Sequence, residues 1–283
     1  MVAFLQRAAG YSLTGDPKEE CLMICHGIGR NGKGTFLNTL MEIFGDYAGA
    51  ALMSTFEERP NDPGANNDLA MLKGLRFVVG SETKEGSRLN EQLIKQVTGR
   101  DRLRARFLFS EFFEFEFTGK LWLMVNHLPS IPGTDEGIWS RIRIVPFLRY
   151  FKPEERDPQL KQKLMDEAKG ILAWAVRGCQ MWLKDGLQPP PSVMKATDDY
   201  RTDQDVIGLF LGRRCEQGDG FSVKSKSLYE DYLKHCEENG MKYPLSSNSF
   251  GRKLTDRGFR MEESHGVSWR RGLRLRFLGQ EGG

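Results

Sequence analysis

The chain has 283 residues, 39% of them hydrophobic and 28% charged, and its 41 Lys and Arg against 38 Asp and Glu leave a net charge of +3. That length accommodates one large domain or two ordinary ones, and the composition excludes disordered and collagen-like classes. Apolar runs such as 121–125 and 171–176 fall far short of the roughly 18 residues a membrane helix requires, so no membrane partner is expected. The opening MVAFLQRAAGYSLTGD carries one basic residue and no long apolar core, so it does not read as a signal peptide, and a cytoplasmic location is expected. The five cysteines are odd in number and lack a Cys-x-x-Cys pair, and the four histidines are scattered, which argues against disulfides and zinc.

In chain order, 1–20 reads as the remnant of an N-terminal helical segment. CLMICH at 21–26 reads as a strand, 35–44 as a helix, LRFVVG at 75–80 as a strand and LNEQLIKQV at 89–97 as a helix. A hairpin follows over 103–117, then a strand at KLWLMVN, 120–126. Such alternation predicts an α/β domain with a mostly parallel sheet over 21–150. Leu164, Ile171, Leu172, Trp174, Ala175, Cys179 and Trp182 recur at three-to-four spacing, predicting a helical subdomain over 151–188. Gln188-Pro189-Pro190-Pro191 stops a helix and stiffens the chain, so a boundary is placed there. The remainder, 189–283, reads helix, helix, then two strand-like runs, GFRMEES and SWRRGLRLRFL, joined around His265-Gly266, which is the order of a winged-helix module. Eight basic residues oppose three acidic ones over 249–277, so the wing is expected to carry DNA contacts at Arg270 and Arg271.

The segment Gly27-Ile28-Gly29-Arg30-Asn31-Gly32-Lys33-Gly34-Thr35 follows an apolar strand and opens a helix, the setting a phosphate-binding P-loop requires. Glycines at 27, 29 and 32 let backbone N–H groups curl around phosphate oxygens, with Arg30, Asn31 and Gly34 completing the cradle. Lys33 brings positive charge to the β and γ phosphates, and the helix N-terminus adds its dipole. The position after the lysine, where Ser or Thr is usual, holds Gly34, so Thr35 is the candidate Mg²⁺ ligand. The strand over 75–79 ends in Gly80-Ser81-Glu82, making Glu82 the candidate acid for phosphate-bound Mg²⁺, with Glu85 as a second carboxylate. Either could position the attacking water. The strand over 121–125 ends at Asn126, whose amide can orient water without adding charge; a turn-forming Asn before His127-Leu128-Pro129 is the bland alternative.

Pairing 106 with 114 and 104 with 116 sets Arg opposite Glu on one face of the hairpin, with a turn at Phe109-Ser110-Glu111. Arg104, Arg106 and Phe109 are candidate DNA contacts, although Glu114 and Glu116 could neutralise both arginines. Arg141, within Gly133-Thr134-Asp135-Glu136-Gly137-Ile138-Trp139-Ser140-Arg141-Ile142-Arg143, is a candidate arginine finger for a neighbouring subunit's nucleotide, with a surface salt bridge as the alternative.

Together these residues resemble the superfamily 3 helicase domain of the primase-helicases of poxviruses, satellite phages and plasmids. The resemblance runs through GYSLTGD, GIGRNGKGTF, RFVVGSETKEGSRLNEQLIKQVTGRDRLRAR, LWLMVNHLP and GTDEGIWSRIRIVPF to the C-terminal region. Lys95, Thr98, Gly99, Asp101 and Arg106 look like the extra motif that sets this superfamily apart. The resemblance implies an AAA+-like P-loop ATPase with ATP and Mg²⁺ as cofactors: Lys33 and Thr35 on the phosphates and metal, Glu82 in the Walker B role, Asn126 as sensor and Arg141 as finger. It implies a homo-oligomer, typically a hexamer, whose hairpins push single-stranded DNA 3′ to 5′ and unwind forked duplex during viral, phage or plasmid replication. A primase or polymerase is a further implied partner, in a bacterial host or at a viral replication site. Relatives carry adjacent arginines where this chain has Ser140 and Arg141, and a primase domain normally precedes the helicase, for which 1–20 leaves no room. A helicase-only piece or a shortened gene product is therefore expected. The competing readings are a nucleotide-controlled DNA-binding replication module without unwinding activity, and a small-molecule phosphotransferase.

Overall fold

The computed structural model describes residues 1–58, 67–81, 86–131, 133, 135–241 and 244–276, and the strand anticipated at 21–26 lies inside a five-stranded sheet. In chain order the elements of the first unit are α1 (Val2–Tyr11), β1 (Leu22–His26), α2 (Lys33–Phe44), β2 (Ala48–Leu52), α3 (Asn67–Ala70), β3 (Phe77–Ser81), α4 (Glu91–Thr98), β4 (Arg102–Ala105), β5 (Phe113–Glu116), β6 (Lys120–Val125), α5 (Glu136–Trp139), β7 (Ile142–Pro146), α6 (Leu160–Asp166), α7 (Ala168–Asp185) and α8 (Pro191–Gln204). The sheet order is β2-β3-β6-β1-β7, and each pairing between neighbours is parallel.

Parallel strands are covered on both faces, which is why β1, β3 and β6 read as unbroken apolar runs rather than as alternating patterns. Leu22 and Ile24 enter one core with Val78, Leu121, Leu123, Ile142 and Ile144. Met23 and Cys25 point to the other face, into a core with Phe77, Val79, Trp122, Val145 and Leu37 of α2. The second core also takes Phe4, Ala8, Ala9 and Tyr11 from α1 and Ala175 and Trp182 from α7. α1 is thus part of the core: a Cβ on Gly10 would overlap the Gly178–Cys179 backbone, and one on Gly178 would overlap the Gln6 carbonyl, so the two helices touch backbone to backbone. Trp122 is fully buried, and its indole N–H donates to Ser12 Oγ at 3.0 Å, tying β6 to the end of α1.

Three expectations change. The division into compact units falls between Arg201 and Thr202, not at the prolines. Pro191 opens α8, where its missing N–H costs nothing, and Val193 and Tyr200 then enter the two cores of the first unit. The hairpin pairs Arg104 with Glu114 and Arg102 with Glu116, two residues out of the expected register. A two-residue slip keeps every side chain on its face, so the hydrophobic pattern alone does not exclude it. Arg106 lies outside the ladder, and its guanidinium, like that of Arg104, lies over the Phe112 ring, at 4.7 and 4.5 Å. Finally, β2 was not anticipated: Ala-Gly-Ala-Ala-Leu has little strand propensity and forms an edge strand through its pairing with β3.

The second unit, Thr202–Gly283, holds α9 (Val206–Arg214), β8 (Cys215–Lys224), α10 (Ser225–Glu238), α11 (Ser247–Asp256), β9 (Met261–Ser264) and β10 (Val267–Leu275). Its antiparallel sheet runs β8-β10-β9. The β9–β10 hairpin turns through His265 and Gly266, both at positive φ (52° and 73°), as a tight two-residue connection requires. β8 was not anticipated because Gly218 and Gly220 break its apolar pattern; its partner β10 supplies the ladder that holds it. Phe210, Leu228, Tyr232, Phe250, Leu254 and Leu273 form a separate core.

Candidate functional site

β1 ends at His26, and the glycine-rich loop returns the chain into α2, which starts at Lys33, two residues earlier than expected. A Cβ at Gly27 would overlap the Phe147 carbonyl and the Asn31 amide, and Gly32, the N-cap of α2, sits at φ 88°, so both positions need glycine. Arg30 also takes a positive φ, 59°. The N-cap Gly32 offers no side chain to cap α2, and of the first-turn N–H groups that of Lys33 donates to Asn31 Oδ1 at 3.4 Å, while those of Gly34 and Thr35 have no acceptor among the described residues and are open to an anion. Gly29 and Thr35 are exposed. A Cβ on Gly34 would make only ordinary contact with Met124 Sδ at 3.6 Å, so crowding does not explain the glycine there.

Lys33 is 4% exposed, and its ammonium donates to the Gly27 carbonyl and, at 3.1 Å, to Asn126 Oδ1. Burial lowers its pKa. Asn126 arrives there because β6 pairs with β1 in parallel, His26 beside Val125, so both strands end at the same sheet edge. Ligands of open α/β sheets bind outside that edge. The uncapped helix start, the glycine-turned backbone and the buried ammonium fit a polyphosphate, and the Thr35 hydroxyl in the same first turn is available to a divalent cation. Glu82 and Glu85 lie outside the described residues.

The chain leaving β7 straps this loop, a feature the sequence reading missed and that no spacing signals. Asn31 Nδ2 donates to the Phe147 carbonyl at 3.0 Å, Phe147 N–H to the His26 carbonyl at 2.8 Å, and Phe151 N–H to the Arg30 carbonyl at 2.9 Å. The Phe151 ring lies under the Arg149 guanidinium at 4.6 Å, and Arg149 pairs with Glu155 at 2.9 Å.

Arg141 lies at the opposite sheet edge. It precedes Ile142, which pairs with Leu22 at the start of β1; one five-residue strand, roughly 16 Å, separates it from the loop. Its side chain is 19% exposed and spent within the chain: Nε donates to Thr98 Oγ1 at 3.1 Å, Nη1 to the Gly137 carbonyl at 2.6 Å and Nη2 to Glu20 at 2.8 Å. Nearby, Lys95 pairs with Asp135 at 2.9 Å. Thr98 and Lys95, singled out as motif residues, thus meet the segment that carries Arg141. Gly99 and Asp101 follow α4 and are not among the hydrogen-bond partners of Arg141, which are Thr98, Gly137 and Glu20.

The hairpin tip is apolar and bare. Phe109 is fully exposed at φ 61°, and Phe107, Leu108 and Phe112 are exposed beside it. Leu103, Ala105 and Phe115 anchor the stem in the core. The feared neutralisation is slight: Glu114 approaches Arg102 at 3.9 Å rather than Arg104 or Arg106.

In the second unit one expectation fails. Arg270 is 5% exposed and donates to Thr255 Oγ1 and to the Gly251 and Phe259 carbonyls, clamping α11 onto β10, so it is unavailable as a DNA contact. Arg271 is exposed but paired with Glu262 at 2.7 Å.

Residues 25–141 match a family described as a family of unknown function (DUF5906), and 202–269 match the family Poxvirus D5 protein-like. The mimivirus protein named Putative helicase L207/L206 (Acanthamoeba polyphaga mimivirus) is 30% identical over 249 residues, spanning 80% of this chain and 26% of the relative. Putative helicase 022R of Frog virus 3 is 30% identical over 231 residues, 74% of this chain and 23% of the relative. The chain thus spans about a quarter of the length of these curated relatives. The apo structure of the NrS-1 C-terminal region shares the fold, with TM-score 0.52 and 14% identity over 89% of this chain and 66% of that one. The D5-like C-terminal match and the giant-virus relatives named putative helicases support a poxvirus-type, primase-helicase-like family for the chain.

Proposed function

We propose that the chain is the motor part of a superfamily 3 DNA helicase, hydrolysing ATP in a homo-oligomeric ring, hexameric by family resemblance, to move 3′ to 5′ on single-stranded DNA and unwind forked duplex at a viral, phage or plasmid replication site. The observation that carries this reading is the meeting of Lys33 and Asn126 at the open start of α2. The glycine-rich loop is then a P-loop: its backbone and Lys33 hold the β and γ phosphates, and Asn126 holds the attacking water at the γ-phosphate. Thr35 and Glu82 are the residues that would hold a Mg²⁺ ion, which would supply positive charge where negative charge develops on the transferred phosphoryl group. Strand order β2-β3-β6-β1-β7 supports an AAA+-like core. Helices α9 to α11 followed by the β9–β10 hairpin support a winged-helix module.

Arg141 stands a strand's length from its own loop, so its role as a finger is toward a neighbour's nucleotide and requires release from Glu20. The tie to Glu20 favours one alternative, a nucleotide-controlled DNA-binding module in which hydrolysis is idle. A primase or polymerase remains a proposed partner. Steady-state ATP hydrolysis with and without single-stranded DNA, with light scattering for the assembled mass and strand displacement on a fork, separates the two. DNA-stimulated turnover and unwinding by a multi-subunit species support the motor; DNA binding without hydrolysis supports the module.

A further inference from the structure

The basic residues of the second unit differ in how far the chain itself consumes them. Arg271 pairs with Glu262, Arg274 with Glu216, Arg214 with Glu238 and Arg257 with Asp205. Those along the β-ladder are therefore largely neutralised in place. Arg252, exposed on α11, makes no ion pair among the described residues.

Arg252 borders a cavity of about 380 Å³ between α10, α11 and β9–β10, lined also by Ser225, Tyr229, Ser247, Asn248 and Arg270. Two features of this cavity call for an anion. Arg270 is nine-tenths buried there, and its partners are all neutral: the Thr255 hydroxyl at 2.8 Å and the Gly251 and Phe259 carbonyls at 2.8 and 3.0 Å. A buried cation without a carboxylate leaves standing positive potential in its surroundings. The Ser225 hydroxyl is shut off from solvent and has no hydrogen-bond partner among the described residues, a state that native proteins rarely leave unanswered. Moreover α10, of 14 residues, begins at Ser225 without a side-chain cap, so its first-turn N–H groups reinforce the same polarity. Glu263, opposite Ser268 on β9, is the acid on this side, and it does not line the cavity.

We propose that this cavity binds a phosphate of a nucleic-acid strand, making the α10–α11 face, rather than the β9–β10 ladder, the second unit's nucleic-acid contact. The proposal rests on the DNA-directed reading above. The phosphate is either an internal phosphodiester or a terminal phosphate monoester; both offer the same oxygens to Arg252 and the start of α10, within the positive potential of Arg270.

The test is fluorescence anisotropy of the 283-residue chain with labelled single-stranded and duplex oligonucleotides across a KCl series, each variant first checked by thermal melting. Arg252→Ala, at an exposed position, should weaken binding several-fold and reduce the slope of log affinity against log salt by about one. Ser225→Asp should weaken it about tenfold or more, whereas Arg271→Ala should leave affinity and slope unchanged. If Ser225→Asp melts early, Ser225→Ala with Arg252→Ala serves in its place. A 5′-phosphorylated oligonucleotide binding more tightly than its hydroxyl counterpart, with the difference lost in Arg252→Ala, assigns a terminal phosphate, and equal binding assigns an internal one. Wild-type affinity and slope in Arg252→Ala, or a reduced slope in Arg271→Ala instead, overturn the proposal while leaving the helicase reading intact. A wild-type chain that binds no DNA at low salt overturns both.

Discussion

Lys33 Nζ stands 3.1 Å from Asn126 Oδ1, across 93 positions of sequence. Two side chains become neighbours because β1 and β6 are hydrogen-bonded and parallel, and each residue follows the C-terminal end of its strand. The Asn126 oxygen and the Gly27 carbonyl hold the ammonium over the loop that the glycines open.

Lys33→Ala should lower ATP hydrolysis by roughly 10²–10³-fold, since it removes a preorganised charge from the place where negative charge develops. Asn126→Ala should lower turnover while sparing nucleotide binding. Coupled-assay kinetics beside equilibrium binding of ATP will separate the two, and a Lys33→Ala chain with near-wild-type turnover would place the active site elsewhere.

Arg141→Ala should melt earlier, losing about 1–3 kcal/mol, because its three in-chain hydrogen bonds vanish and the Thr98 and Gly137 oxygens lose their donor. If the same guanidinium serves a neighbouring subunit, Arg141→Ala chains mixed with Glu82→Gln chains should regain partial hydrolysis at hybrid interfaces. Titrating the mixing ratio measures this, and no recovery at any ratio confines Arg141 to a structural clamp.

Phe109→Ala should leave the melting temperature unchanged, because the ring is fully exposed. It should nevertheless weaken single-stranded DNA binding by about 1–3 kcal/mol if a base stacks on it. Phe115→Ala, whose ring is anchored in the core, should instead destabilise the first unit by about 3–5 kcal/mol. Anisotropy and thermal melts on the pair distinguish a contact residue from a stem residue.

Lys120 is 4% exposed, donates to the Thr14 and Thr118 carbonyls at 2.8 Å, and lies over the Tyr11 ring at 4.6 Å. Burial pushes its pKa down from 10.5 to about 8; nearby Asp16 and Cys21 oppose the shift and Arg76 adds to it. The folded chain therefore releases this proton near pH 8, while the unfolded chain holds it to about 10.4. Between those values the unfolded state binds more protons, so this residue's contribution to stability rises with pH, by on the order of 1–3 kcal/mol in total. Thermal melts from pH 7 to 10 should show that rise in wild type relative to Lys120→Met, and parallel curves would refute it.

Gly178→Ala should destabilise the first unit by more than an ordinary surface helix substitution, since its Cβ would overlap the Gln6 carbonyl where α1 meets α7. Urea titration will read the loss, which should exceed about 2 kcal/mol.

Much of the candidate site was legible because its chemistry is local. A strand, a glycine-rich turn, a lysine and a helix start are contiguous, and the apolar runs of β1, β3 and β6 announce strands buried on both faces. The hairpin was legible in kind but not in register, because a slip of two preserves every face and the apolar pattern alone does not decide between the two. β2 and β8 were not legible, since small residues and glycines make strands only when a neighbouring strand supplies the ladder.

Sequence by itself determined the α/β alternation, the placement of Lys33 and Asn126 at element ends and the helical character of 157–187, because these follow from periodicity and from residues close along the chain. Tertiary structure alone decided that α1 is core, that α8 joins the first unit as far as Arg201, that Arg141 is held by Glu20 and Thr98, and that Arg270 is a buried clamp while Arg252 is exposed with no ion pair among the described residues. The physical reason is the same in each case: whether a charge or an apolar face is spent or available depends on which distant atoms surround it, and the sheet order that brings those atoms together is set by long-range pairing rather than by local pattern.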